Sequence, residues 1–181
     1  MRYIFPLITL FIIVYFLWQG LAKDPSLLPS PLINQAVPEF SANDLLKKST
    51  RLRKKIFLQH WTLLVVWSSW CVTCSKEQSF LLSLQKHHII TIYGLNYRDD
   101  LRHAQLWLRQ QGNPFQKIIF DPQGMLAIDL GVYGVPESYL IDPQGIIRYK
   151  QIGLLTANVW TQQMAILINQ SNKILNHTYE G

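Results

Sequence analysis

Thr62-Leu63-Leu64-Val65-Val66-Trp67-Ser68-Ser69-Trp70-Cys71-Val72-Thr73-Cys74 holds the only two cysteines of the 181 residues. Thr62 to Trp67 is an apolar, β-branched run of strand length, and a helical pattern begins after Cys74. The stretch predicts a strand, a short aromatic turn and a Cys-x-x-Cys that opens a helix. Cys71 then sits at the helix N-terminus, where unpaired N–H groups and the positive end of the helix dipole favour thiolate over thiol. Cys74 follows one turn later, placed to attack a mixed disulfide formed at Cys71. The pair reads as a thiol-disulfide exchange centre. A structural disulfide would close too small a loop to restrict the unfolded chain much. A zinc site needs about four ligands, and no second Cys-x-x-Cys or spaced His pair supplies the others.

Working outward to the N-terminus, Ile4 to Ala22 is apolar apart from Thr9 and Gln19, between Arg2 and Lys23. That is the length of a membrane-spanning helix and long for a signal-peptide core. Residues 1–22 are read as an uncleaved anchor, with a cleaved signal as the alternative; either exports the rest, in a bacterium to the oxidising periplasm. Residues 23–37 carry Pro25, Pro29 and Pro31 and read as a proline-rich tether, leaving 38–181 as one domain. Ser41-Ala42-Asn43-Asp44 is expected to begin a short helical turn through Leu46. Six of the 17 Lys and Arg residues lie between Lys47 and Lys55, and the other 11 balance 11 acids, so the net charge of +6 is local. This run is a solvated loop or a face for anionic lipid. Nucleic-acid binding lacks an accompanying aromatic platform or motif.

Downstream, the cysteine helix is expected to reach about His88, followed by a strand from Ile89 to Leu95. Asn96 to Asp100 supplies a cap and first-turn acids for a helix whose apolar face is Leu101, Ala104, Leu106, Trp107 and Leu108. A third strand covers Lys117 to Phe120. Asp-Pro-Gln-Gly occurs at 121–124 and 142–145 and suits type I turns; the second separates the strands 138–141 and 146–152 of a hairpin. A last helix, about 156–170, offers Val159, Trp160, Met164, Ile166 and Leu167 to the core. The tail 171–181 is expected to fray, and its Asn176-His177-Thr178 sequon to go unused in a chain that looks bacterial. Right-handed crossovers place the early strands in parallel. The fold class is α/β: a mixed central sheet flanked by helices, the thioredoxin-like architecture, with an N-terminal transmembrane anchor.

Three further stretches carry a resemblance: Gly94-Leu95-Asn96-Tyr97-Arg98-Asp99-Asp100, Gly112-Asn113-Pro114, and Asp129-Leu130-Gly131-Val132-Tyr133-Gly134-Val135-Pro136-Glu137-Ser138. With the cysteine stretch they resemble the membrane-tethered thioredoxin-like proteins of cytochrome c maturation called CcmG or DsbE. The resemblance implies a periplasmic reductant on the inner membrane that keeps the Cys-x-x-Cys-His of apocytochrome c reduced, directly or through a CcmH-type partner. It would be re-reduced by a DsbD- or CcdA-type membrane carrier, and it needs no cofactor beyond the Cys71–Cys74 dithiol. Cys71 is then the nucleophile, Cys74 the resolving thiol, and Val135-Pro136 the cis-proline loop facing an extended substrate. Glu77 and Glu137 match positions where the family carries acids; Glu77 is the candidate acid-base group, since Val65 stands where thioredoxin has a buried Asp. Trp70 and Tyr133 are read as an apolar rim for substrate, Trp67 as rim or buried packing. Val72 departs from the family, which commonly has Pro there. A general TlpA- or ResA-type reductase and a non-redox tethered apocytochrome-binding module are the rival readings.

Overall fold

Helices α2 (Val72–Lys86) and α3 (Leu101–Gln111) join three parallel strands, β3 (Thr62–Trp67), β4 (Thr91–Tyr97) and β5 (Lys117–Asp121). The structure is a computed structural model and describes residues 4–21 and 32–171. The expected tether up to residue 31, and the tail from residue 172 with its sequon, lie outside the described residues. Every residue of β3 is buried, which is why its sequence is a continuous apolar run rather than an alternating one. Both crossovers step the same way along the sheet, so right-handed connections put α2 and α3 on one face. The last helix, α5, starts at Ala157–Val159, passes through a π-helical turn, Trp160–Met164, and runs to residue 171. It covers the same face. There Leu63, Val65, Trp67, Leu81, Leu84, Trp107, Leu108, Trp160 and Met164 form one core.

On the opposite face Leu64, Val66, Tyr93, Leu95 and Tyr139 pack against α4 (Met125–Asp129) and the segment leading into the sheet. That segment includes residues 32–37, which the prolines suggested were tether. Asn34 N donates to Ile147 O, Val37 N donates to Gly145 O, and Val37 is fully buried. The sheet is completed by β6 (Glu137–Ile141) and β7 (Ile147–Ile152), the expected antiparallel hairpin, beside β3. Its other edge is a second hairpin, β1 (Ser41–Asp44) and β2 (Arg51–Arg53), giving seven strands in the order β2-β1-β5-β4-β3-β6-β7.

Strand β1 corrects the expected helical turn at 41–46. Its polar residues carry no strand pattern; pairing with β2 and β5 makes it a strand, and Asp44 then closes the turn by accepting from Leu46 N and Lys47 N. Part of the basic run is in the sheet: exposed Arg51 and Arg53 flank buried Leu52 on the edge strand, where charge discourages pairing with another chain. The expected strand at 89–95 lies two residues later, because His87 to Ile90 form the turn after α2, with His88 at φ 51°. Two residues expected in the core, Leu106 and Ile166, are each 45% exposed.

At the N-terminus α1 (Ile4–Leu21) is an 18-residue helix whose large apolar side chains from Leu7 to Trp18 are exposed. Among the described residues no helix is long and apolar enough to cross a membrane. At 1.5 Å per residue, α1 is about 27 Å long against a hydrocarbon thickness of about 30 Å.

Candidate functional site

The cysteines lie where β3 ends and α2 begins. Cys71 is the N-cap of α2, in extended conformation, and its Sγ accepts from Cys74 N at 3.1 Å. The two form a disulfide with Cα atoms 5.4 Å apart. Cys71 is 6% exposed and Cys74 1%, so of the two Cys71 lies nearer to solvent.

The turn between β3 and Cys71 is held by the loop after β4. Ser69 N and Ser69 Oγ donate to the Asp99 carboxylate at 2.6 and 2.7 Å, and Asn96 Nδ2 donates to it at 2.9 Å. Ser68 Oγ donates to Tyr97 O, and Trp70 Nε1 donates to Arg98 O at 3.1 Å. Trp70 is thereby fixed by its indole nitrogen while the residue remains 56% exposed. Trp67 behaves differently: it is 1% exposed and stacked on Trp107 and Phe115, with ring centroids 4.8 and 5.5 Å away. Gly94 makes room for that stack, since a Cβ there would lie 2.8 Å from Trp67 Nε1. Of the two acids expected to start α3, Asp100 does cap it, accepting from Arg102 N and His103 N. Asp99 serves the cysteine turn instead. Its role is invisible in the sequence, because the partner is 30 residues away.

The antiparallel register puts Val66 opposite Glu137. The segment that enters β6 therefore arrives at the same end as the cysteine turn, and its Val135-Pro136 bond is cis. Val135 packs against the core cluster that contains Cys71 and Cys74. Tyr133, two residues before it, is 69% exposed, and Val72 on α2 is 79% exposed. Trp70, Val72 and Tyr133 are thus exposed apolar groups on the segments that carry the disulfide and the cis proline.

Both acids singled out from the sequence are buried, which rules out solvated positions for them. Glu77 is 2% exposed on α2, one turn beyond Cys74. Its Oε2 accepts from Leu155 N at 2.8 Å, and its Oε1 has no partner. Burial pushes its carboxyl up from 4.5 to about 7, against the smaller opposing pull of the Leu155 N–H. Glu137 is fully buried but saturated with partners. Its Oε1 accepts from Tyr133 N at 2.8 Å and Gly134 N at 3.2 Å, its Oε2 accepts from Tyr139 Oη at 3.0 Å, and Lys150 Nζ lies 3.2 Å away. Burial, and after it the Glu137 charge, push the Tyr139 hydroxyl well above its ordinary value, so it stays a donor. Lys150 belongs to this cluster, and its place on a strand with no motif gave no sign of it in the sequence. Among the described residues no group of three or more His, Cys, Asp or Glu side chains could hold a metal ion.

Residues 33–150 match the model of the AhpC/TSA family. A Pasteurella multocida protein named "Probable thiol:disulfide interchange protein DsbE-2" is 47% identical over 161 residues, 89% of this chain and 84% of its own length. The thiol:disulfide interchange proteins DsbE of Pseudomonas aeruginosa and Escherichia coli K12 are 42% and 40% identical. Their alignments cover 91% and 92% of this chain and equal shares of their own lengths. Among solved structures, a DsbF homologue from Corynebacterium diphtheriae superposes with a TM-score of 0.65 at 21% identity, covering 82% of this chain and 96% of its own. That likeness shows the thioredoxin-like fold.

Proposed function

This chain belongs to the AhpC/TSA family and, within it, to the DsbE thiol:disulfide interchange proteins, and we propose that it is a membrane-tethered periplasmic reductant serving cytochrome c maturation. It is an enzyme, a thiol:disulfide oxidoreductase, and its chemistry is that of Cys71 and Cys74. In the reduced protein the Cys71 thiolate attacks one sulfur of a substrate disulfide, forming a mixed disulfide and releasing the other substrate sulfur as a thiolate that takes up a proton. The Cys74 thiol then loses its proton and attacks Cys71 Sγ. The second substrate sulfur leaves, and the Cys71–Cys74 disulfide of the structure remains. Two electrons pass from protein to substrate.

Glu77 is the proposed acceptor of the Cys74 proton. It is buried on the same helix one turn away, has one oxygen free of protein partners, and titrates near the pH at which it must exchange a proton. The cis Val135-Pro136 segment and the exposed rings of Trp70 and Tyr133 are the proposed seat for an extended stretch of substrate beside Cys71. Glu137 shapes that seat from beneath. The observation that carries the reading is the placement of Cys71, at the start of α2 and at the same end of the sheet as the cis proline.

The substrate proposed is the Cys-x-x-Cys-His segment of apocytochrome c or a CcmH-type partner, with a DsbD- or CcdA-type membrane protein returning the electrons. Anchoring in the inner membrane through residues 1–22 is supported by the apolar run from Ile4 to Ala22 and by the exposed apolar surface of α1. Cys74→Ser removes the resolving thiol and tests the substrate assignment. In cells making cytochrome c, the anchored variant is expected to accumulate a mixed disulfide between Cys71 and a Cys-x-x-Cys-His segment or a CcmH-type protein. Capture spread over unrelated exported proteins would instead mark a general TlpA- or ResA-type reductase. Maturation sustained by a chain with both cysteines changed to serine would mark a non-redox binding module.

A further inference from the structure

Lys150 is a charged residue that none of the chemistry above uses. It lies on β7 across from Tyr139, and its side chain is 3% exposed. Its ammonium has four neighbours. Nζ donates to Gly131 O at 2.7 Å, lies 3.2 Å from Glu137 Oε2, and sits 4.4 Å from the ring centroid of Tyr133 and 5.4 Å from that of Tyr139. Burying an ammonium is costly unless it is paired, and all of these partners belong to, or directly support, the stretch from Gly131 to Glu137 that leads through the cis proline.

From Gly131 to Pro136 that stretch lies outside regular secondary structure, so its shape depends on such ties. Glu137 Oε1 fixes the main chain through Tyr133 N and Gly134 N. Lys150 fixes what Glu137 does not reach: the Gly131 carbonyl and the Tyr133 ring, within the usual range of a cation–π contact. Tyr133 is 69% exposed, and an exposed ring without such a contact would be free to change rotamer and would lose that freedom on binding.

We propose that Lys150 is a positioning residue that presents the Tyr133 ring and the cis-proline loop to the substrate segment, and so sets how tightly substrate is held and not how fast sulfur exchanges. The inference rests on the reading of Tyr133 and Val135-Pro136 as the substrate seat.

The test is stopped-flow oxidation of the reduced full-length protein, in detergent, by an oxidised Cys-x-x-Cys-His peptide, which yields a saturation constant and a limiting rate. Lys150→Met is expected to raise the saturation constant about 5- to 10-fold. The limiting rate, the Cys71 titration and the reduction potential should not move, and Lys150→Arg should recover most of the loss. In a Tyr133→Ala background, Lys150→Met should add little. An unchanged saturation constant, a shift in potential, or full additivity with Tyr133→Ala would overturn the inference. If Lys150→Met does not fold, Lys150→Gln, which keeps a donor for the Gly131 carbonyl, is judged by the same criteria; failure of both to fold would make Lys150 a residue of the fold alone and overturn its role. Should Tyr133→Ala itself leave the saturation constant unchanged, the substrate seat has been misassigned. A Tyr133 effect without a Lys150 effect refutes only the present inference.

Discussion

Glu77 and Glu137 are two buried carboxylates on segments beside one disulfide, and they are arranged in opposite ways. Glu137 meets an ammonium, a phenol and two backbone N–H groups, and every oxygen is used. Glu77 meets one backbone N–H, keeps one oxygen bare, and is pushed up to about 7. Burial alone therefore does not make a proton carrier. A buried carboxylate with a full set of donors is tied to its neighbours and gives shape, whereas one left short of partners is pushed up by burial and can exchange a proton near pH 7.

The largest expected effect comes from breaking the saturated side. Glu137→Ala leaves the Lys150 ammonium buried without its counter-charge and should cost about 3–5 kcal/mol of stability, read from the midpoint of denaturant unfolding. A loss below about 1 kcal/mol would mean that the pair is solvated and the contrast with Glu77 is lost.

Next comes the pH dependence of the bare side. Between pH 4.5 and about 7 the folded protein keeps the Glu77 proton while the unfolded chain releases it, so the folded state binds more protons and loses stability as pH rises through that window. The loss should be on the order of 3 kcal/mol and complete above about pH 7. It is measured by denaturant unfolding of the oxidised protein at a series of pH values. Glu77→Gln should remove this slope and slow the resolving step at Cys74. A slope that survives the substitution would place the titrating group elsewhere.

A smaller effect is expected at a third acid, Asp99. Asp99→Asn offers an amide where the Ser69 N–H and hydroxyl need acceptors, and should cost about 1–2 kcal/mol. It should loosen Trp70, seen as a change in tryptophan fluorescence, and leave the Glu77 slope in place. Loss of the slope would show that the two carboxylates are coupled.

How much of this the sequence disclosed depended on how local each feature is. The strand from Thr62, the helix from Val72 and the 142–145 turn rest on neighbouring residues, and the structure has them. Strand β1 could not be read, because Ser-Ala-Asn-Asp becomes a strand only when β5 and β2 lie beside it. Residues 32–37 read as tether in the sequence, since proline spacing hides the long-range bonds to residues 145 and 147. At the site, the cysteines and the two acids were visible as motif residues. The difference between those acids was not, for it lies in Leu155, Lys150 and Tyr139, each brought from another element. Asp99 reads as a first-turn acid of the next helix for the same reason: a cap on that helix is local, a clamp on Ser69 is not.

Whether this centre gives electrons away is read from the equilibrium reduction potential of Cys71–Cys74 in the full chain, measured against glutathione or dithiothreitol buffers. The reductant role predicts a value on the reducing side of the roughly −180 mV of protein disulfide isomerase, despite Val72 between the cysteines. A value near the roughly −120 mV of a strong periplasmic oxidant would contradict it and make the protein a disulfide donor.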